Sequence, residues 1–161
     1  MKKRSDSSTY YEIANLLGEG LNSCVYRAFR KDEKTSLTQE VALKILKSKK
    51  LVHLWRAEFE TLRQVRSPHC LSVFGWEWIE DKPALVLECV DGLSLNELFR
   101  QTDLSIEEAS EVFRQIQCGL EHLRQLGLCH GDLSLKNILI NRKGLVKLVD
   151  FGLGNLSLIH I

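Results

Sequence analysis

His130-Gly-Asp-Leu-Ser-Leu-Lys-Asn137 is a polar stretch between two apolar ones, with a carboxylate and a carboxamide five positions apart. Just downstream, Asn137-Ile-Leu-Ile140 and Leu145-Val-Lys-Leu-Val-Asp-Phe151 form two short apolar runs around Asn141-Arg-Lys-Gly144, a hairpin signal. The second run ends on Asp150, so Asp132, Asn137 and Asp150 all stand at the ends of strand-like segments. Two carboxylates and an amide oxygen are the hard-oxygen set that magnesium takes beside phosphates. Singly, each Asp is as well explained as a turn cap.

Upstream the pattern is helical. Ser94-Leu-Asn-Glu97 and Ser105-Ile-Glu-Glu108 are capping boxes, and the second opens a long helix with Ala109, Val112, Phe113, Ile116, Leu120 and Leu123 on one face, ended by Gly127. Further toward the N-terminus, residues 11–17, 23–30 and 40–46, and then 71–79 and 84–90, are short runs rich in Val, Ile, Tyr and Leu. They predict an antiparallel meander. One interruption stands between them: Leu51, Trp55, Phe59, Leu62 and Val65 recur every three or four residues until Ser67-Pro68 stops the helix. The expected architecture is α+β: a five-stranded antiparallel sheet with one helix over residues 11–90, then the beginning of a mainly helical domain over 91–161. Residues 1–10 are expected to be a disordered tail.

Three features of the first part complement the acidic set. In Leu17-Gly-Glu-Gly-Leu-Asn-Ser-Cys-Val25, glycines two apart let backbone N–H groups come close to a phosphate, although for the pair alone a glycine-permitted turn is the better account. Lys44 lies in Val41-Ala-Leu-Lys-Ile-Leu46, where alternation puts it with Ala42 on one face and Leu43 with Ile45 on the other. A lysine there needs an anion or a solvated edge. Glu58, three residues after Trp55 and four before Leu62, points along the apolar stripe of the helix, whereas Glu60 points to water. An inward Glu beside an inward Lys adds little stability over apolar replacements, which favours a task for the pair.

Composition bounds the remaining classes. With 22 basic and 21 acidic residues among 161, the formal charge of +1 offers no field for nucleic acid or an anionic membrane. Five scattered cysteines (24, 70, 89, 118, 129) without a C-x-x-C argue against a disulfide framework and a zinc site, and fit a reducing, cytoplasmic setting. The basic start of the chain turns polar rather than apolar, and no run approaches membrane-spanning length.

Together these motifs resemble the protein kinase catalytic domain. Residues 18–25 are similar to its Gly-rich loop, Val41-Ala-Leu-Lys44 to its third-strand lysine motif, His130–Asn137 to its catalytic loop and Asp150-Phe-Gly152 to its metal-binding motif, in the family's order, over about residues 11 to 155. The resemblance implies ATP and Mg²⁺ as cofactors. It implies that Gly18 and Gly20 cover the phosphates, that Lys44, held by Glu58, binds the α and β phosphates, that Asn137 and Asp150 hold Mg²⁺, and that Asp132 accepts the proton of the attacking hydroxyl. Leu17, Val25, Ala42 and Leu139 are expected to sandwich adenine, with Glu88 and Cys89 in the segment that binds its edge. Ser23 replaces the loop's third glycine, Gly131 replaces an arginine that pairs with a phosphorylated activation loop, and Ser134 replaces a lysine. The expected function is transfer of the γ-phosphate to a protein Ser, Thr or Tyr hydroxyl. The rivals are a truncated module that binds nucleotide or a partner without turnover, and an aminoglycoside-type small-molecule phosphotransferase. After Gly152 only nine residues follow, without an A-P-E, so the lobe is incomplete and a partner is expected to cover the apolar stripe of the Ser105 helix.

Overall fold

The computed structural model describes residues 2–4, 9–32, 34–48 and 52–151, with the side chains of residues 2–4, 54, 57, 58 and 61 outside it. The chain forms two bodies from interleaved pieces: Met1–Arg63 with Val73–Cys89, and Gln64–Ser72 with Val90–Ile161.

The first body contains β1 (Lys2–Arg4), β2 (Thr9–Glu19), β3 (Ser23–Asp32), β4 (Thr38–Leu46), α1 (Val52–Leu62), β5 (Val73–Ile79) and β6 (Lys82–Glu88). The strands make one antiparallel sheet in the order β1-β2-β3-β4-β6-β5. The five expected strands are all there, with a sixth beside them. Lys2–Arg4 pairs with β2 in the register Lys2 to Glu12 and Arg4 to Tyr10, and Thr9 already belongs to β2. Residues 1–10 are therefore not wholly a disordered tail: the open edge of β2 offers backbone partners to a segment with no side-chain pattern of its own. Alternation sorts the sheet as read. Tyr11, Ala28, Val41, Leu43, Ile45, Ile79, Ala84 and Val86 are buried together on one face.

The second body contains β7 (Gly92–Ser94), α2 (Leu95–Gln101), α3 (Ile106–Gln125), a 3₁₀ turn (Leu135–Asn137), β8 (Ile138–Asn141) and β9 (Val146–Leu148). The expected hairpin is β8–β9, and β7 extends it into a three-stranded antiparallel sheet. Both capping boxes form as read: Ser94 accepts from the Glu97 N–H and Ser105 from the Glu108 N–H, while each glutamate side chain accepts from its cap's own N–H. The buried stripe of α3 differs from the apolar one. Val112, Gln115, Gly119 and Leu123 face inward, whereas Phe113 is 60% and Ile106 82% exposed. Gly119 permits close approach: a Cβ there would sit 3.0 Å from the His69 carbonyl oxygen and 2.8 Å from Leu148 Cδ1. Cys70 occupies the same junction, bridging in parallel to Leu148 and donating its thiol to the Gly119 carbonyl at 3.6 Å. Burial pushes that thiol up to about 11.

Gln115 is buried because it substitutes for missing backbone partners. Its Oε1 accepts from the Val146 N–H at 2.8 Å, and its Nε2 donates to the Gly144 carbonyl at 3.0 Å and to Glu111 Oε1 at 3.0 Å. Gln115→Leu keeps the volume but leaves the buried Val146 N–H unpaired, so a destabilisation of about 2 kcal/mol is expected, read from urea unfolding midpoints. An unchanged midpoint would show that water replaces the amide.

Candidate active site

Each body gathers one part of the expected machinery. In the first, β-register builds a row across four strands: Gly18 opposite Val25, Val25 opposite Lys44, Lys44 opposite Leu85. One step along, Ala42 lies opposite Leu87 on the same face, as alternation predicts. The face is thus an apolar surface carrying one buried cation, with Lys44 only 7% exposed. Its ammonium lies over the Trp55 ring, 5.6 Å from the centroid, and Phe59 packs on Trp76 at 6.4 Å, so α1 covers this side of the sheet. Trp55 is a neighbour of Lys44 that periodicity assigned only to the helix stripe. Glu58 lies on α1, but its side chain is outside the described ones.

The Gly-rich turn is closed by the Gly20 N–H donating to the Ser23 carbonyl at 2.9 Å and by the Lys47 N–H donating to the Asn22 carbonyl at 2.9 Å. Neither Gly18 nor Gly20 has a positive φ. A Cβ at Gly18 would meet nothing within 4 Å, and one at Gly20 only the Ser23 oxygen at 3.8 Å. The chain's own packing and backbone conformation therefore make no demand for glycine at either position. A bulge between Leu16 and Gly18 sets Leu17 at the strand's irregular point, half exposed. Glu88 ends β6 opposite Val41 and Cys89 follows it, both part-buried.

In the second body, hydrogen bonds tie Asn137 to Asp132 and to the residue before Asp150. Asn137 Nδ2 donates to the Asp132 carbonyl at 2.8 Å and to Asp132 Oδ2 at 3.0 Å. The Asn137 carbonyl in turn accepts from the Val149 N–H at 3.0 Å, fixing the residue before Asp150. With its Nδ2 committed, the Asn137 amide presents Oδ1 as an acceptor, and the set offers hard oxygens that fit a divalent cation. Asp150 holds φ at 56°, a left-handed conformation uncommon outside glycine and kept only where surroundings enforce it. Gly131, at φ 79°, makes the turn that precedes Asp132. Leu139 follows on β8, paired with Lys147.

Beneath the loop, His130 is 6% exposed, with neither ring nitrogen hydrogen-bonded, and stands edge-on to Phe151 at 6.0 Å. Sequence inspection did not single out this pair. Burial lowers the His130 pKa from the ordinary 6.5, with the Asp132 and Asp150 carboxylates opposing weakly. The folded protein consequently binds fewer protons here than the unfolded chain does, so the stability contributed by a neutral His130 is present above pH 6.5 and is lost as pH falls below it. His130→Phe is expected to flatten that acid limb in melts taken across the range. A limb that is unchanged in the variant would assign it to other groups.

The comparisons follow this geometry. Residues 11–157 match the sequence profile of the protein kinase domain. The chain belongs to the protein kinase family. Among kinases, it is 31% identical to CBL-interacting serine/threonine-protein kinase 19 of Arabidopsis thaliana over 98% of this chain and 34% of that protein. It is 34% identical to serine/threonine-protein kinase PLK4 of Drosophila grimshawi over 89% of this chain and 19% of that one. Among solved structures, the kinase domain of Mycobacterium tuberculosis PknI, in a mutant form, shares the fold at a TM-score of 0.69 and 20% identity, covering 90% of this kinase chain and 60% of that one. The chain thus spans about a third or less of those two curated relatives. Among the described residues, no helix is long and apolar enough to cross a membrane.

Proposed function

We propose that this kinase chain transfers the γ-phosphoryl group of ATP to a protein hydroxyl, serine or threonine in the first instance, in a Mg²⁺-dependent reaction. The relatives' names as serine/threonine kinases support the acceptor class. The observation that carries the reading is the tie of Asp132 to Asn137 and of Asn137 to Val149, which gathers a proton acceptor and a hard-oxygen set on one body.

Each residue then has a task. Gly18 and Gly20 let backbone N–H groups lie against phosphate oxygens, and Leu17, Val25, Ala42 and Leu139 flank the adenine ring, whose edge meets the backbone at Glu88 and Cys89. Lys44, oriented by Glu58, donates to the α and β phosphates from a face where water is scarce, so its charge counts for more than at the surface. Asn137 and Asp150 hold Mg²⁺, which when bound neutralises charge on the β- and γ-phosphates. Asp132 takes the hydroxyl proton onto its carboxylate as the acceptor oxygen attacks. A protein substrate, and a polypeptide surface over Ile106 and Phe113, belong to the same proposal.

Thermal melts with ATP, with and without Mg²⁺, test the binding part, and transfer of radiolabel to generic peptides tests the turnover. Lys44→Met is expected to weaken the ATP-dependent rise in melting temperature, by about tenfold in apparent affinity. The absence of any ATP-dependent rise in the unaltered protein would remove the nucleotide reading. A rise without transfer would leave a binding module, and transfer to a sugar or aminoglycoside but no peptide would change the acceptor class.

A further inference from the structure

None of the residues assigned to phosphoryl transfer lines a surface hollow on the second body. The turn Arg66-Ser-Pro-His69 and the outward side of α3 border this open hollow, wide enough to seat part of a small organic ligand. Arg66, His69, Arg114, Gln117, Cys118 and His122 line it. The charges there are unevenly matched. Arg114 forms a two-point pair with Glu111, at 2.6 and 2.8 Å, and the acidic lining residue Glu121 is taken up by Arg124 at 2.7 Å. The guanidinium of Arg66 has no partner among the described residues. His122 is committed, its Nε2 accepting from the Arg66 backbone N–H at 3.1 Å, so its Nδ1 carries the proton and is a donor. His69 donates Nδ1–H to the Val146 carbonyl at 3.3 Å, which leaves its Nε2 an acceptor and no donor to an anion. The wall therefore carries a spare cation and imidazole and amide donors, with the carboxylates already neutralised.

We infer that this hollow binds a phosphate monoester, with Arg66 gripping the phosphoryl group and Gln117 and His122 donating to its oxygens. Arg is the residue suited to this, since its planar fork matches phosphate oxygens two at a time. The open hollow leaves room beside the phosphoryl group for the organic body of an ester. That body is either a small metabolite or the phosphorylated side chain of a polypeptide. The inference is independent of the nucleotide site, and its test uses no kinase activity.

Cys118 is exposed on the wall of the hollow, its sulfur 3.9 Å from Arg114 Nη1, and reports occupancy, while Cys129 is exposed outside the lining and serves as internal reference. Alkylation by N-ethylmaleimide, followed by peptide mass spectrometry, gives both rates in one sample. Phenyl phosphate and a short phosphoserine peptide are the probes, and benzyl alcohol and the unphosphorylated peptide the controls. A probe at about ten times its dissociation constant is expected to slow Cys118 alkylation about tenfold without slowing Cys129. Arg66→Gln, an exposed change that leaves the melting temperature in place, is expected to abolish the protection. Stronger protection by the peptide identifies a polypeptide source and stronger protection by phenyl phosphate a small-molecule one. Equal Cys118 rates with and without both probes, equal protection by benzyl alcohol, or protection that survives Arg66→Gln would overturn the assignment.

Discussion

Asp132→Asn is expected to lower phosphoryl transfer by about a thousandfold while leaving ATP binding and the fold in place. The substitution keeps the shape of the side chain and an oxygen able to accept from Asn137 Nδ2, the bond that measures 3.0 Å in the unaltered protein. What it removes is a group that can take up a proton at neutral pH. Loss should therefore fall on the chemical step, visible in single-turnover transfer from labelled ATP, and the ATP-dependent shift in melting temperature should survive. A transfer rate within a few-fold of the unaltered protein would assign the proton elsewhere. Loss of both transfer and binding would mean that the carboxylate holds the loop together rather than acting on the substrate.

Gly92→Ala should be the most damaging single methyl group in the described structure. Gly92 is exposed, and its φ is not positive, so neither burial nor backbone conformation marks it. Its constraint is the neighbouring strand: a Cβ would run into the Ile140 carbonyl oxygen and lie 2.7 Å from the Ile140 carbonyl carbon and 2.8 Å from Asn141 Cα. These are backbone atoms held in register by the β7–β8 ladder, so no rotamer change relieves the clash. Separation of β7 would also displace Ser94, the N-cap of α2, and strain Asn141, whose Oδ1 accepts from the Lys143 and Leu145 N–H groups. A loss of about 3 kcal/mol is expected, or roughly 6–12 °C in melting temperature for a chain of this size. Gly18→Ala is the matched control, since its methyl would enter open space. Equal melting temperatures for the two variants would show that the ladder yields.

What could be read from the chain was whatever depends on near neighbours. Period-two alternation placed Lys44 and Ala42 on one face because β4 lies inside the sheet, with each of its faces distinct. Both helix starts were legible since a capping box closes within four residues. The elements that escaped rely on distant backbone. Lys2–Arg4 and Gly92–Ser94 have three residues each, too few for a period, and exist because β2 and β8 offer them an edge. Which positions of α3 face inward was not legible, for a related reason. Its buried positions include Gln115 and Gly119, one chosen for hydrogen bonds to the β8–β9 turn and the other for lack of bulk, and neither registers on an apolar count. Asp132, Asn137 and Asp150 were legible as chemistry, while the bonds from Asn137 to Asp132 and to Val149 were not.

The interleaving of the two bodies has a consequence for biosynthesis. Residues 64–72 emerge from the ribosome early, yet two of their backbone hydrogen bonds run to β9: the Leu148 N–H donates to the His69 carbonyl and the Leu71 N–H to the Leu148 carbonyl. Until Leu148 has been translated, the His69 carbonyl and the Leu71 N–H lack these partners, and Cys70, held only through Gly119, is not yet closed off by its bridge to Leu148. Nascent chains stalled at successive lengths should therefore show Cys70 alkylation ending abruptly once β9 clears the exit tunnel, a timestamp for closure of the second body that the finished protein no longer displays.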